Sequence, residues 1–244
     1  MCAREGWSKV PHSLDQFQAL IDAILQDGAS KLTNAVRDSL IARAIQRYSK
    51  DRPREIVTDV SASGTPDQAL PTGSGATFED GFSEVEQLEY PVGNVPATIL
   101  LSETWALYST PSGLVIRMYS AAPSAGQTIR VTWTARHASD GSTIPDQDFE
   151  AVCEFGASLG YAALAAVYAQ TGDASIGADT INYRTKGQEY LALAKAAQKR
   201  YFDHLGIPQD QVNAETGPAI AIGSLREEIG LAGIDRLTHP KATR

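Results

Sequence analysis

The sequence contains few of the residues from which metal centres and disulfide frameworks are built. Its 244 residues include two cysteines and four histidines. Cys2 and Cys153 form neither a disulfide framework nor a metal-binding pattern, which is typical of a protein in a reducing cytoplasm. The histidines are His12, His137, His204 and His239. Because no zinc spacing connects them, the sequence predicts neither a metal site nor a bound cofactor.

Positive charge is also scarce, with 21 Lys and Arg against 29 Asp and Glu and a net charge of −8. Residues 1–54 carry nine basic and six acidic side chains, whereas residues 55–146 carry three and eleven. The acidic excess is densest between Glu79 and Glu89. Because such a surface repels phosphate, we expect no duplex-binding face. The acidic patch is typical of a solvated, solubilising surface.

A membrane-spanning segment and a signal peptide are not indicated. The longest apolar run, Phe149–Ala169, approaches the length of a span. Glu150 and Glu154 lie within it, however, and much of its apolar character comes from Ala, which contributes little to insertion. Residues 1–16 lack the apolar core of a signal peptide. We therefore expect no membrane among the partners.

Two helices are predicted before residue 54. Ser13 and Gln16 match a capping box, and the helix that they open ends near Gly28. A second helix is predicted from about residue 32 to residue 49, since Pro53 forbids its continuation. Their apolar stripes are Phe17, Leu20, Ile21, Ile24 and Leu25, and Val36, Leu40, Ile41, Ala44, Ile45 and Tyr48.

In residues 55–145 the apolar side chains recur with a period of 2 instead of the 3.6 of the preceding helices, which predicts a β-rich region. The clearest predicted strands are Thr128–Arg136 and Leu114–Tyr119, and the weaker ones are Ser83–Tyr90 and Thr104–Tyr108. Residues 61–81 are rich in Ser, Gly, Thr and Pro and predict a mobile excursion. Because the region has no long helix of its own, we expect an antiparallel module inserted between two helix pairs.

Residues 146–206 predict a helical hairpin. Asp146 is the expected N-cap, and small side chains along the first arm indicate dense helix neighbours. Gly206 followed by Pro208 ends the second arm. The residues beyond form a tail whose apolar positions alternate with glycine. Such a segment is either disordered or ordered by docking on another chain, and we favour docking.

These features predict an α+β fold, in which an α-helical bundle carries an inserted antiparallel β-rich module and an extended C-terminal tail. The bundle combines two N-terminal helices with a C-terminal helical hairpin. The predicted limits are residues 1–54 and 146–206 for the bundle core, 55–145 for the β-rich module and 207–244 for the tail.

Two alternatives to a structural role remain open. A thiol enzyme would use Cys153 with His137, but a cysteine on an Ala-rich helix is more often a core residue, and we predict no enzyme. A cytoplasmic small-ligand or protein-binding module would use an aromatic face on the β-sheet. Its residues would be Trp105, Trp133 and Tyr119, although strand aromatics more often fill a sheet core.

Three segments carry a resemblance to a known family: LIARAIQRYSKDRP (Leu40–Pro53), the sheet region Glu89–His137, and ADTINYRTKGQEYLALAKAAQKRY (Ala178–Tyr201). Together with the order of helix pair, β insertion, hairpin and tail, they resemble the head–tail adaptor, or connector, proteins of tailed bacteriophages. The resemblance covers most of residues 10–205. It implies a dodecameric ring beneath the portal, which extends the DNA channel toward the stopper and tail.

The resemblance also implies partners and sites. The partners are the portal protein, a stopper or tail-completion protein and further copies of this chain, with double-stranded DNA passing non-specifically. The location is the virion neck, and the host cytoplasm during assembly. The implied portal contacts are Ile220, Ile222, Leu225, Ile229, Ile234 and Leu237. The candidates for packing between subunits are Gly156, Gly160, Ala163, Leu191, Ala194 and Tyr201.

Overall fold

A computed structural model describes residues 12–27, 30–120, 122–170 and 183–208 of the chain. Over these residues the fold is α+β, as predicted, with two helices before the antiparallel sheets and two helices after them. The helices are α1 (Leu14–Leu25), α2 (Asn34–Asp51), α3 (Asp146–Gln170) and α4 (Tyr183–Leu205). The strands are β1 (Arg54–Ser61), β2 (Asp67–Gln68), β3 (Thr72–Gly73), β4 (Ala76–Thr77), β5 (Val85–Glu89), β6 (Trp105–Thr110), β7 (Gly113–Met118) and β8 (Thr128–Ala135).

The helix ends follow from local side-chain chemistry. The capping box at Ser13 and Gln16 is present, which confirms the predicted start of α1. Thr33 caps α2 by accepting a hydrogen bond from the backbone N–H of Val36, so α2 begins two residues later than predicted. Asp146, the predicted N-cap of α3, is instead its first helical residue.

Helix α3 is the centre of the helical part, and its glycines admit the side chains of α1. A Cβ atom at Gly156 would lie 2.7 Å from Cδ1 of Ile21, and one at Gly160 would lie 2.7 and 2.8 Å from the two methyl carbons of Leu25. Both separations are shorter than van der Waals contact. The small side chains of this arm therefore determine how closely α1 packs.

This packing predicts opposite effects for two glycines inside helices. We expect Gly160→Ala to lower the free energy of unfolding by about 1–3 kcal/mol, because the added methyl overpacks the buried Leu25. Gly187→Ala is the matched control, since the carbonyl oxygen of Ala165 would lie 3.5 Å from the added Cβ atom, which is ordinary van der Waals contact. That variant should gain up to about 1 kcal/mol from helix propensity. Urea denaturation measures both, and equal effects would contradict the packing argument.

The β-rich region forms two three-stranded antiparallel sheets that share one core. The strand orders are β1-β8-β5 and β2-β7-β6, and β3 pairs with β4 in a separate hairpin. Trp133 of the first sheet and Ile116 of the second are both almost completely buried in the same apolar cluster. Alternate residues of β7 and β8 point into this cluster, as the period of 2 predicts.

The prediction of a mobile excursion over residues 61–81 is wrong. Short strands β2, β3 and β4 lie within it, and Gln68 is 2% exposed. The Gln68 side chain accepts a hydrogen bond from the backbone N–H of Ser63 at 2.9 Å and donates to the carbonyl of Thr65. The polar residues of this segment form hydrogen bonds with one another. The segment is therefore an ordered part of the module, although its composition is typical of a loop.

Candidate interaction surfaces and the buried junction behind them

One buried carboxylate joins three helices of the fold. Asp148, in the first turn of α3, is 2% exposed. It accepts hydrogen bonds from the hydroxyl of Tyr48 at 2.6 Å and from Nη1 of Arg52 at 3.1 Å, and it lies 2.8 Å from Nε2 of His204. Tyr48 belongs to α2 and His204 to α4, so this group fixes both helices to α3. From the sequence alone, Asp148 is a favourable negative charge in the first turn of a helix, and nothing local indicates its burial.

The electrostatics of this junction favour the ionised carboxylate. Burial alone raises the pKa of Asp148, but hydrogen bonds from Tyr48 and His204 and the charge of Arg52 outweigh it, and the net pKa lies below the ordinary value. Burial, followed by the bond to Asp148, raises the pKa of Tyr48 far above its usual range. Tyr48 therefore remains a neutral donor, and Asp148 remains a charged acceptor.

A second polar contact strengthens the same junction. The hydroxyl of Tyr201, on α4, donates to Oδ2 of Asp51 at 2.7 Å, and Arg47 lies 2.9 Å from the same oxygen. Arg200 reaches Glu154 of α3 at 2.7 Å. Because Tyr201 is fully buried, its position is fixed by contacts within the chain.

The candidates for packing between subunits occupy different environments. Gly156, Gly160 and Tyr201 are buried within the chain, Ala194 is 9% exposed, and Ala163 is half-buried. Leu191 is 48% exposed. A contact of these residues with another subunit stays a prediction, and Leu191 has the most accessible side chain for it. All six portal-contact candidates lie outside the described residues.

Large apolar side chains are exposed at two surfaces. On the β-rich module, Val95 is 98%, Leu101 71% and Tyr119 60% exposed. On α4, Leu191 is 48% and Leu193 46% exposed. Sequence reasoning missed Val95 and Leu101, because they lie in a loop without periodicity. Exposed apolar side chains mark contact surfaces where they form one contiguous patch, so these residues are candidates for contacts with other molecules.

The sequence predicts that the acidic patch between Glu79 and Glu89 is a solvated surface, but the structure shows that two of its side chains are paired. Glu79 lies 2.6 Å from Nε of Arg136, and Glu89 is 8% exposed and lies 3.4 Å from Arg130. Glu89 also accepts a hydrogen bond from the backbone N–H of Gly93 at 3.3 Å, which ties the loop after β5 to its strand. Part of this acidic charge therefore holds the module together.

Cys153, the candidate nucleophile of the enzyme hypothesis, is completely buried. Cys153 is 0% exposed, and burial together with the charges of Glu150 and Glu154 raises its pKa to about 12. The imidazole of His137 is held by the backbone carbonyls of Thr143 and Arg52, each at 3.1 Å. A thiol with this pKa is protonated at neutral pH, so it lacks the thiolate that nucleophilic catalysis requires.

The three aromatic residues of the alternative hypothesis do not share a surface. Trp133 is 0% exposed, and its indole N–H donates to Oγ1 of Thr58 at 3.1 Å. Trp105 packs against the same core, whereas Tyr119 is 60% exposed. A ligand face built from these three side chains is therefore not present.

A cleft of about 520 Å³ lies between α2, the β3–β4 hairpin and the segment that follows β8. Its lining includes Gln46, Ser49, Arg54, Arg136, His137 and Thr143.

Within the described part of the chain, no group of three or more His, Cys, Asp or Glu side chains is arranged to hold a metal ion. Helix α3 is long and apolar enough to span a bilayer, but 61% of that window is buried in the fold, as in the core helix of a folded protein.

No protein-family model and no curated protein matches the sequence. Chains from solved gene transfer agent (GTA) particles are similar to it. One, from "Neck of native GTA particle computed with C12 symmetry", is 16% identical, with 78% of this chain and 94% of that chain covered and a TM-score of 0.26. A second, from "Virion of native gene transfer agent (GTA) particle", is 15% identical over 71% and 87%, with a TM-score of 0.25. A third, from "Neck of empty GTA particle computed with C6 symmetry", is 17% identical over 78% and 92%, with a TM-score of 0.26. TM-scores of this size carry no argument about fold or function.

Proposed function

We propose that this chain is a non-enzymatic structural protein of a virion neck, which forms a ring adaptor between the portal and the stopper or tail of a tailed phage. The observation that carries the proposal is that large apolar side chains are exposed on two separate elements of one compact unit, Val95 and Leu101 in the loop after β5 and Leu191 on α4. A closed ring needs two different faces on each subunit, so that one face meets the other face of the next copy.

The buried junction suits this role because it fixes the helices that carry the contact surfaces. Asp148 and Tyr201 fix α2, α3 and α4 to one another through hydrogen bonds within the chain. The helical core, residues 1–54 and 146–206, then holds the β-rich module, residues 55–145, and the tail, residues 207–244. The tail contacts the portal, and the ring continues the DNA channel. A chain without a basic patch suits a channel through which DNA passes without being bound tightly.

Mass measurement of the purified protein, alone and mixed with portal protein, tests the proposal. We expect a large ring on the portal, and we expect Leu191→Asp to prevent its formation, because a charge at a buried subunit contact is left unpaired. Ala196→Asp is the matched control, since Ala196 is exposed on α4 and five residues further along the helix lies about 140° around its axis from Leu191. Its ring should form normally. A chain that does not bind the portal would contradict the adaptor role. A ring that still forms with Leu191→Asp would contradict the subunit contact at Leu191.

A further inference from the structure

Strand β6 lies at the edge of its sheet and has no second neighbour among the described residues. The strand order β2-β7-β6 leaves one side of β6 unpaired over all six residues, Trp105–Thr110. Edge strands expose rows of backbone donors and acceptors that pair readily with another strand. The side of β6 that faces away from β7 is therefore a candidate contact surface.

The register with β7 identifies the backbone groups that point outward. The N–H of Tyr119 donates to the carbonyl of Thr104, so residues 104 and 119 form a hydrogen-bonded pair. Because such pairs alternate along an antiparallel ladder, residues 106, 108 and 110 also bond to β7. The N–H and C=O groups of Trp105, Leu107 and Ser109 then point away from the sheet.

The composition of β6 offers no protection against pairing. Its sequence WALYST contains no charged residue and no proline, the two devices by which edge strands usually block further pairing. The other long edge strand, β1, carries Glu55 and Asp59, and β5 carries Glu86 and is bridged by Ile99. Among the edge strands of five or more residues in the described part of the chain, only β6 carries no charged side chain.

We propose that β6 pairs antiparallel with β6 of a second copy of this chain, about a two-fold axis at Leu107. This register places Leu107 opposite Leu107 of the other copy and Trp105 opposite Ser109, and each of the three resulting pairs exchanges two hydrogen bonds. All outward groups of the strand are then satisfied. Leu107, which is 37% exposed, extends the apolar core across the axis, and no charge faces a like charge.

The outer face of β6 is already ordered for such a contact. The guanidinium carbon of Arg117 lies 3.6 Å from the ring centre of Tyr108, and Arg117 forms two hydrogen bonds to Asp67, at 2.6 and 2.7 Å. Tyr108 would therefore lie beside Ala106 of the other copy without losing its partner. The small Ala106 side chain leaves room for the ring.

This two-fold contact is different from the head-to-tail contact of a ring, and it belongs to the free protein. A ring closed by heterologous contacts contains no two-fold axis between neighbouring copies, so the β6 pair is not the contact that closes the ring. The pair does not depend on the proposed adaptor role, and it is tested in the absence of portal.

The full-length protein in solution tests the pairing. We expect light scattering to show twice the chain mass of 26.1 kDa for the native sequence, and the single-chain mass for Leu107→Lys, which places two like charges at the axis. Val57→Lys is the matched control, because Val57 is 55% exposed on β1, and it should remain a dimer. A native protein that is monomeric at all concentrations would overturn the proposal.

Two further measurements keep the test independent of misfolding. Ser109→Pro removes an N–H that makes no bond to β7, so it should give a folded monomer, whereas Ser109→Ala should stay dimeric. Amide exchange at Trp105, Leu107 and Ser109 should slow at least tenfold on dimerisation. Slow exchange in a monomer would overturn the proposal, because it would mean that another segment of the chain covers the edge. A dimer that is unaffected by Leu107→Lys and Ser109→Pro would also overturn it.

Discussion

Asp148→Ala is expected to lower the free energy of unfolding by about 3 kcal/mol. Most of this loss comes from the hydroxyl of Tyr48, which is buried and loses its 2.6 Å acceptor. Arg52 and His204 contribute less, because their side chains are 43% and 42% exposed and water can solvate them after the change. Chemical denaturation measures the effect, which corresponds to a fall in Tm of roughly 6–12 °C for a domain of this size.

Asp146→Asn is the matched control for this substitution. Asp146 lies two residues earlier in the same helical turn, but its side chain is 76% exposed, and its contact with His12 is at the surface. Exposed ion pairs contribute little, so the control should change the stability by less than about 1 kcal/mol. Similar losses for both variants would show that the first turn of α3, and not the buried junction, determines the effect.

The acid dependence follows from the lowered pKa of Asp148. A carboxyl group whose pKa is lower in the folded protein stabilises it above the unfolded value, about 3.9, and this contribution disappears as the pH falls through the folded value. We therefore expect the difference in stability between the native protein and Asp148→Asn to be constant near neutral pH and to shrink below about pH 4. A difference that grows on acidification would contradict the assignment of Asp148 as the ionised acceptor.

Periodic segments of this chain could be predicted from the sequence, whereas long-range polar contacts could not. Helix α1 and strands β7 and β8 follow one period over their whole length, because each presents a single face to one core. Strand β1 was not identified, since only Ile56 is fully buried along it. Its position depends on pairing with β8, whose paired residues lie 67 to 81 positions away in the sequence.

The junction around Asp148 was missed for the same physical reason. An aspartate in a helix first turn is already explained by the helix dipole, so nothing local indicates that it is buried. Its partners Tyr48 and His204 lie 100 and 56 residues away in the sequence. The glycines of α3 gave a stronger signal, because a spacing of four places Gly156 and Gly160 on one helical face, where α1 packs.

Deletion of residues 207–244 is expected to leave the domain folded and to abolish portal binding. Helix α4 ends before the deletion, with Gly206 in the left-handed conformation at φ +70°, so its hydrogen bonds remain. The predicted portal contacts all lie in the deleted segment. Circular dichroism and urea denaturation report the fold, and co-sedimentation with portal reports binding. Portal binding that survives the deletion would remove this role from the tail.

Substitution within the full-length chain separates apolar contact from mere tail length. Ile229→Asp combined with Ile234→Asp removes two apolar side chains, each worth about 1.5 kcal/mol or more when buried, so portal affinity should fall at least about 100-fold. The matched control, Glu228→Gln combined with Asp235→Asn, changes the neighbouring charges and leaves the apolar positions intact. If the control weakens binding as much as the first pair, the contact is electrostatic, and an apolar strip docked on the portal is the wrong description of the tail.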